Sequence, residues 1–409
     1  MWMKPRTYTD GLIFGAILMT AGVLFQWIFG RIEWDCLHSP VNFLALVLFL
    51  SFIGVIHILH KKIHFFIWLG SLPCAVTSIA WASFLTVFMG FVRQAPSESS
   101  PSTFPGFDRM VSNWSFVLIW FWMLLSLGLT ILRVCIPLKK KRIPFLLNHL
   151  GLFLALLCGT LGSADLQRMR MTAELNIPNP SAIDCRGNVH ELPFSVELNS
   201  FRIDEYPPKL IMVDNITGRP LPYDSPNYII ADKNTSSENL NGWSVSVLEI
   251  LDFCSPENDS DSINYVECHS SGACTAALVK ITKPGETTVT DWVSCGSYAY
   301  PPKTVKLGGE TSLVMSEREP QRYISNVTVR TRNDKTVSAS IEVNKPLRID
   351  GWKLYQLDYD HSMGRWSNVS VFEIIKDSWM IPVYVGICMM IAGAVCMFVK
   401  FGRRKEENL

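Results

Sequence analysis

Histidine and cysteine carry most of the chemistry that this sequence could perform. The chain has 8 His and 11 Cys among 409 residues. A neutral imidazole is a common ligand for transition metals and for haem iron, and a thiolate is a nucleophile or a soft metal ligand. Four of the histidines, His57, His60, His64 and His149, fall in or beside long apolar runs. An ionisable group is costly in hydrocarbon, so its presence there marks a functional candidate, although near the end of a span it can also snorkel to the headgroups. His60 and His64 flank Lys61 and Lys62 and read as interfacial. His57 lies about one turn deeper, and His149 about one turn inside its own run, after Pro144. A histidine so placed and facing a partner helix could hold haem iron inside the membrane.

The cysteines divide by environment. Cys74, Cys135, Cys158, Cys388 and Cys396 lie in apolar runs, where a thiol is usually a small packing residue. Cys36, Cys185, Cys254, Cys268, Cys274 and Cys295 lie outside them, where bridges form if the compartment is oxidising. With no C-x-x-C motif in the chain, structural bridges are favoured over a thiol relay. The Cys268-x5-Cys274 spacing allows a small closed loop, but sequence does not give the pairing.

The elements that would position these residues follow from hydropathy. Hydrophobic residues make up 48%, charged residues only 18%, and mean hydropathy is +0.20. Six runs, about 11 to 30, 41 to 59, 65 to 92, 115 to 136, 145 to 164 and 380 to 399, are long enough to cross a bilayer as helices. Basic residues cluster at Lys4 and Arg6, at Lys61 and Lys62, at Lys139 to Arg142, and at Lys400 to Lys405, while the alternate loops carry few. Short basic loops stay in the cytoplasm, so both termini are expected inside and residues 165 to 378 outside. The latter stretch changes character. Alternating or β-branched runs recur at Pro193 to Ile203, Lys209 to Val213, Trp243 to Leu251, Ala276 to Thr282, Tyr323 to Thr331, Val337 to Val343, Trp352 to Asp360 and Ser367 to Ile375. Arg332 to Lys335 reads as a hairpin turn, and Gln94 to Phe107, rich in Pro and Ser, as an external loop. The expected fold is an α-helical membrane bundle of six transmembrane helices plus a large all-β extracytoplasmic domain, a sandwich or related antiparallel form. Its expected parts are a two-helix extension over 1 to 64, a three-helix core over 65 to 164, the β-domain over 165 to 378, and a last helix with a basic tail over 379 to 409.

Several functions are disfavoured. A net charge of +1 gives no footprint for nucleic acid. Phosphate-loop, nucleophile-elbow and zinc-helix motifs are absent, as is C-x-x-C-H, so neither a catalytic residue nor covalent haem on this chain is expected. Arg168 and Arg170, just beyond the fifth run, could meet haem propionates as charge-assisted donors or simply anchor the helix at the interface.

The segment Asn148-His149-Leu150-Gly151-Leu152-Phe153, continuing to Gly159 and Ser163, resembles the HLG-containing helix of the ResB (CcsB) family. The stretch Val343 to Asp360, with Asn344, Pro346, Leu347, Gly351, Tyr355 and Gln356, resembles that family's N-x-P-L-x-x-x-G-x-x-x-Y-Q segment before its last span. With Ser71-Leu72-Pro73, the likeness spans about residues 65 to 400 and leaves the first two runs outside a four-span core. The resemblance implies a subunit of the system II cytochrome c synthase in a bacterial inner membrane, with its large domain periplasmic. It would handle or export haem b, held transiently and without covalent attachment. It would work with a CcsA-type haem-handling protein, apocytochrome c and thiol-reducing envelope proteins. By similarity His149 is the axial-ligand candidate, with His57 a weaker one. The CcsA-type tryptophan-rich motif has no counterpart among the 13 Trp, so the chain resembles half of a synthase. From the residues alone, Pro346 and Gly351 around a short polar run read as one turn between strands, and Tyr355-Gln356 as the start of an alternating strand. The alternative is an envelope sensor or assembly scaffold whose β-domain binds another protein.

Overall fold

The computed structural model describes residues 7–60, 62–95, 105–136, 138–232, 237–259 and 262–406. Lys4, Arg6 and Lys61 of the charge argument, and residues 96–104 of the external loop, lie outside the described residues, as do the side chains from Lys400 onward. The chain divides into two compact units, one of residues Met1–Gln167 with Lys376–Leu409, the other Arg168–Ile375.

The first unit is helical: α1 Tyr8–Phe29, α2 Val41–Leu59, α3 His64–Leu69, α4 Leu72–Phe91, α5 Trp114–Cys135, α6 Ile143–Gly162 and α7 Met380–Glu406. Six of these are long and apolar enough to cross a membrane, which makes this a multi-pass membrane protein. The third run departs from the expected continuous helix. It breaks at Gly70 and Ser71, because Pro73 in the first turn of α4 has no N–H to continue the ladder of α3. Arg133 of α5 occupies the break, donating from Nη1 to Gly70 O (2.7 Å) and from Nη2 to Phe66 O (3.1 Å) and Ile67 O (2.6 Å). A cation thereby satisfies the orphan carbonyls at the C-terminus of α3.

The first two helices belong to the same bundle. Gly11 and Gly15 of α1 let α4 approach at Thr77 and Trp81, and Gly22 lets α5 approach at Ser115. Ser115 Oγ donates to Met19 O (3.0 Å), and Phe14 packs edge-on to Trp122 with ring centres 5.1 Å apart. Small residues at such crossings gain van der Waals contact, the main attraction between helices in lipid.

The second unit is antiparallel throughout its paired strands. In chain order these are β1 Gln167–Glu174, β2 Asn179–Asp184, β3 Val189–Glu205, β4 Lys209–Asp214, β5 Tyr228–Ile230, β6 Glu238–Leu240, β7 Trp243–Asp259, β8 Ser262–Glu267 and β9 Cys274–Thr282. There follow β10 Val289–Gly296, β11 Val305–Lys306, β12 Thr311–Met315, β13 Pro320–Thr331, β14 Thr336–Glu342, β15 Leu347–Ile349, β16 Trp352–Tyr359 and β17 Val369–Lys376. An eight-stranded sheet runs β14-β13-β3-β2-β1-β17-β16-β15. A five-stranded sheet (β10-β9-β7-β6, with β8 on β7) and a four-stranded sheet (β11-β12-β4-β5) complete it. The large sheet closes over its own core, in which Val196, Val329, Leu354 and Phe372 are fully buried. The two smaller sheets face each other across a second core that includes Leu210, Leu313, Val245 and Ile281. Alternation explains the first core: β16 buries Trp352, Leu354 and Gln356 and turns Tyr355 outward.

Candidate functional site

His149 sits in α6, six residues after its start. Asn148 and Gly151 define the face of α6 that meets α7. Asn148 Nδ2 donates to Met390 O (3.0 Å), and a Cβ on Gly151 would stand 2.5 Å from Gly386 O. Gly393 returns the contact, since its Cβ would stand 2.5 Å from Asn148 N. Successive helical residues are rotated by about 100°, so His149 points off this face. Its half-buried ring stacks on Phe145, with centroids 3.7 Å apart and planes 24° apart. Nδ1 lies 3.0 Å from the Phe145 carbonyl oxygen. A carbonyl only accepts, so this contact assigns the proton to Nδ1 and leaves the Nε2 lone pair for coordination.

The other candidates are placed differently. His57 on α2 stacks on His60 with ring centres 5.1 Å apart, and its carbonyl is the partner of His60 Nδ1. Arg168 and Arg170 belong to β1 of the second unit. Arg168 Nε donates to Glu373 Oε1 (2.5 Å) and ties β1 to β17. Arg170 is exposed on the same side, close enough to Asp358 to help hold that carboxyl below its usual range; a backbone N–H of Tyr359 and His361 contribute more. Among the described residues no group of three or more His, Cys, Asp or Glu is arranged to hold a metal ion.

The Asn344 to Gln356 stretch holds two turns with the short strand β15 between them, where the sequence reads a single turn, and β16 opens at Trp352, three residues before Tyr355. Asn344, with φ 65°, turns the chain after β14, and Lys345 N donates to Glu342 O (3.0 Å). Pro346 precedes β15, which Leu347 opens. Asp350 (φ 46°) and Gly351 (φ 84°) then form a two-residue hairpin turn to β16, with Ile349 opposite Trp352. Both central residues have positive φ, the requirement of a type I′ turn. Gln356 is 8% exposed and its amide is fully engaged. Its Oε1 accepts from Ser325 Oγ (2.5 Å), and its Nε2 donates to Asp358 O (2.9 Å) and Ser370 Oγ (3.1 Å). This knot links β13, β16 and β17 across the interior of the large sheet.

Sequence reading missed two centres. Asp165, in the short 3-10 turn after α6, accepts from Ser39 N (2.8 Å), Asn42 Nδ2 (2.7 Å) and Trp379 Nε1 (2.8 Å). One carboxylate thus fastens the start of α2, the end of α6 and the residue before α7. In the β unit, Glu205 lies between Arg365 Nη1 (3.3 Å) and Arg318 Nε (3.5 Å). Burial pushes the Glu205 carboxyl up by more than these guanidiniums pull it down. Arg365 also lies over the Phe253 ring (4.6 Å), and its Nη2 donates to Asp252 O (3.0 Å) and Ala273 O (3.1 Å). Neither centre has a local motif, because each gathers residues far apart in sequence.

Residues 297–369 match the ResB-like family. The matched segment holds the Val343 to Asp360 stretch, the Asp350-Gly351 turn, Gln356, Arg318 and Arg365, and bears out the ResB resemblance there. It is shorter than the 65 to 400 over which the likeness is read from sequence, and the His149 segment lies outside it. No curated protein matches the chain.

Proposed function

Proceeding from the ResB-like segment at residues 297–369, we propose that the chain is a membrane subunit of a system II cytochrome c maturation complex. The match supports a part in cytochrome c biogenesis. The finer reading is that haem b, as the transported substrate, is held by the bundle and presented for attachment to apocytochrome c outside the cytoplasm. The observation that carries it is the 3.0 Å contact of His149 Nδ1 with the Phe145 carbonyl: a proton held there leaves Nε2 as an axial donor to haem iron. The reading draws the second axial ligand from a CcsA-type partner chain, as the ResB resemblance implies.

The test is His149→Ala, co-expressed with a CcsA-type protein in a bacterial host lacking its own maturation system. The variant complex should retain less haem, and added imidazole, filling the vacated position, should partly restore holocytochrome. Since His149 takes no part in the α6–α7 face, the complex should still assemble. Unchanged haem content and maturation would reduce the side chain to an interfacial one. Holocytochrome formed without the partner would overturn the half-synthase reading.

A further inference from the structure

The cysteines of the β unit are nucleophilic groups that haem handling leaves unused. None of the eleven cysteines is joined in a disulfide, and Cys254 and Cys274 are in contact. Cys254 on β7 stands directly opposite Cys274 on β9 in an antiparallel ladder, just after a register shift between Leu251 and Cys254. Directly opposed antiparallel residues have Cα atoms about 4.5–5.5 Å apart, inside the range a disulfide spans. The two sulfurs are 3.8 Å apart, and each thiol donates to the other residue's carbonyl, at 3.2 Å from Cys254 and 3.4 Å from Cys274. Both residues are buried. The nearby thiols are engaged elsewhere: Cys268 Sγ bonds to Ser270 Oγ (2.9 Å) and Cys295 Sγ to Thr275 O (3.6 Å).

We propose that Cys254 and Cys274 are an oxidation site, a cross-strand disulfide closed by exchange with a disulfide-bearing oxidant of the envelope, either a small molecule or a protein. In the first step the Cys274 thiolate attacks one sulfur of the oxidant, forming a mixed disulfide and expelling the other sulfur as a thiolate. Cys254 then loses its proton and attacks Cys274 Sγ, expelling the second oxidant sulfur. Two electrons pass to the oxidant, and the two protons of the dithiol end on its two product thiols. The contact between the two sulfurs holds the Cys274 thiol below its usual range and raises that of Cys254, which favours Cys274 as the first nucleophile. Both residues are buried, so the oxidant reaches the sulfurs on local opening of the strand pair.

The position gives the bond a consequence. Ala273, the residue before Cys274, accepts from Arg365 Nη2 and from Trp366 Nε1 (3.1 Å each). Closing the bridge fixes that carbonyl under the ResB-like segment, whereas the dithiol leaves it held by hydrogen bonds alone.

The full chain, purified in detergent and reduced, is exposed to oxidised glutathione, unfolded, alkylated and mapped as non-reduced peptides. The Cys254 and Cys274 peptides should be recovered joined and two hydrogens lighter, protected from alkylation until a reductant is added. Cys254→Ser should return Cys274 to full labelling without a substitute bridge. The inference fails if both thiols still take label after oxidation, or if Cys274 is found joined mainly to Cys268 or Cys295. A second measurement covers poor folding of that variant. The oxidised wild-type chain should melt above the reduced one, and Cys254→Ala/Cys274→Ala should abolish the difference; a difference that persists also refutes the assignment.

Discussion

At the residue scale, the side chains with the most partners are those that hold elements together. Asp165 accepts three hydrogen bonds from three parts of the helical unit, with His38 Nδ1 3.6 Å away. Hydrogen bonds to a charged acceptor contribute about 1.5–3 kcal/mol each and are not additive. Asp165→Ala should therefore cost about 3 kcal/mol or more, visible as a lower midpoint of thermal unfolding in detergent, and an unchanged midpoint would show that water replaces the carboxylate. The place of His149 inside α6 was legible in the sequence because an ionisable residue in an apolar run is conspicuous. Asp165 was not, because a carboxylate at the end of a span reads as an ordinary interfacial charge. Gln356 was found only through the family likeness, and its buried knot with Ser325 and Ser370 depends on strand order, which no local pattern encodes.

At the scale of elements, α6 and α7 are joined by backbone approach. Gly151, Gly386 and Gly393 each sit where a Cβ would meet backbone at 2.5–2.6 Å. Gly151→Leu should push the helices apart, and cysteine pairs placed across the contact should cross-link less than in the parent. Equal cross-linking would mean that the pair tolerates a shifted register. Span positions were legible to within a few residues because hydropathy is a property of each segment alone. The break in the third span was not, although Pro73 marks it in hindsight. Each of the eight strand runs read from alternation lies wholly or largely in a strand, and the Arg332 to Lys335 turn joins β13 to β14. Among the described residues nine strands were missed, several for local reasons: β5, β6, β11 and β15 have only two or three residues, β2 contains Pro180, and β8 is rich in polar residues.

At the scale of the whole molecule, charge bears on the expected orientation and on the acid response. The alternation of basic clusters predicts that the β unit faces away from the cytoplasm. A probe on a single cysteine replacing Ser237 should be labelled from outside intact cells. Labelling only after the inner membrane is breached would reverse the topology. Within the β unit, His190, with the Asn188 and Arg186 backbone N–H groups, holds the Asp184 carboxyl well below its usual range, and Tyr223 does the same for Asp214. Groups with depressed values contribute stability above their unfolded value of 3.8 and lose it as pH falls through the folded one, so unfolding should become easier below about pH 4. Glu205 acts in the opposite sense. Its raised value contributes stability below 4.5 that is lost as pH rises through the folded value. Glu205→Gln should therefore flatten the melting profile above pH 4.5 and leave the acid limb unchanged; a flattened acid limb instead would reassign the sign.

The strand order has one further consequence. β1 and β17, the first and last strands of the β unit, are neighbours in one sheet, bridged by Arg168 and Glu373, and adjacent strands lie about 4.8 Å apart. Both ends of an insert of some two hundred residues therefore leave it side by side, while the two helices that continue them, α6 and α7, are themselves packed together. Such a unit is a graft in the turn of a helical hairpin, the kind of insertion that can be gained, exchanged or lost without re-routing the host. During synthesis it also means that the large sheet stays incomplete until β17 has emerged, so closure of the insert and entry of α7 into the bilayer are consecutive events.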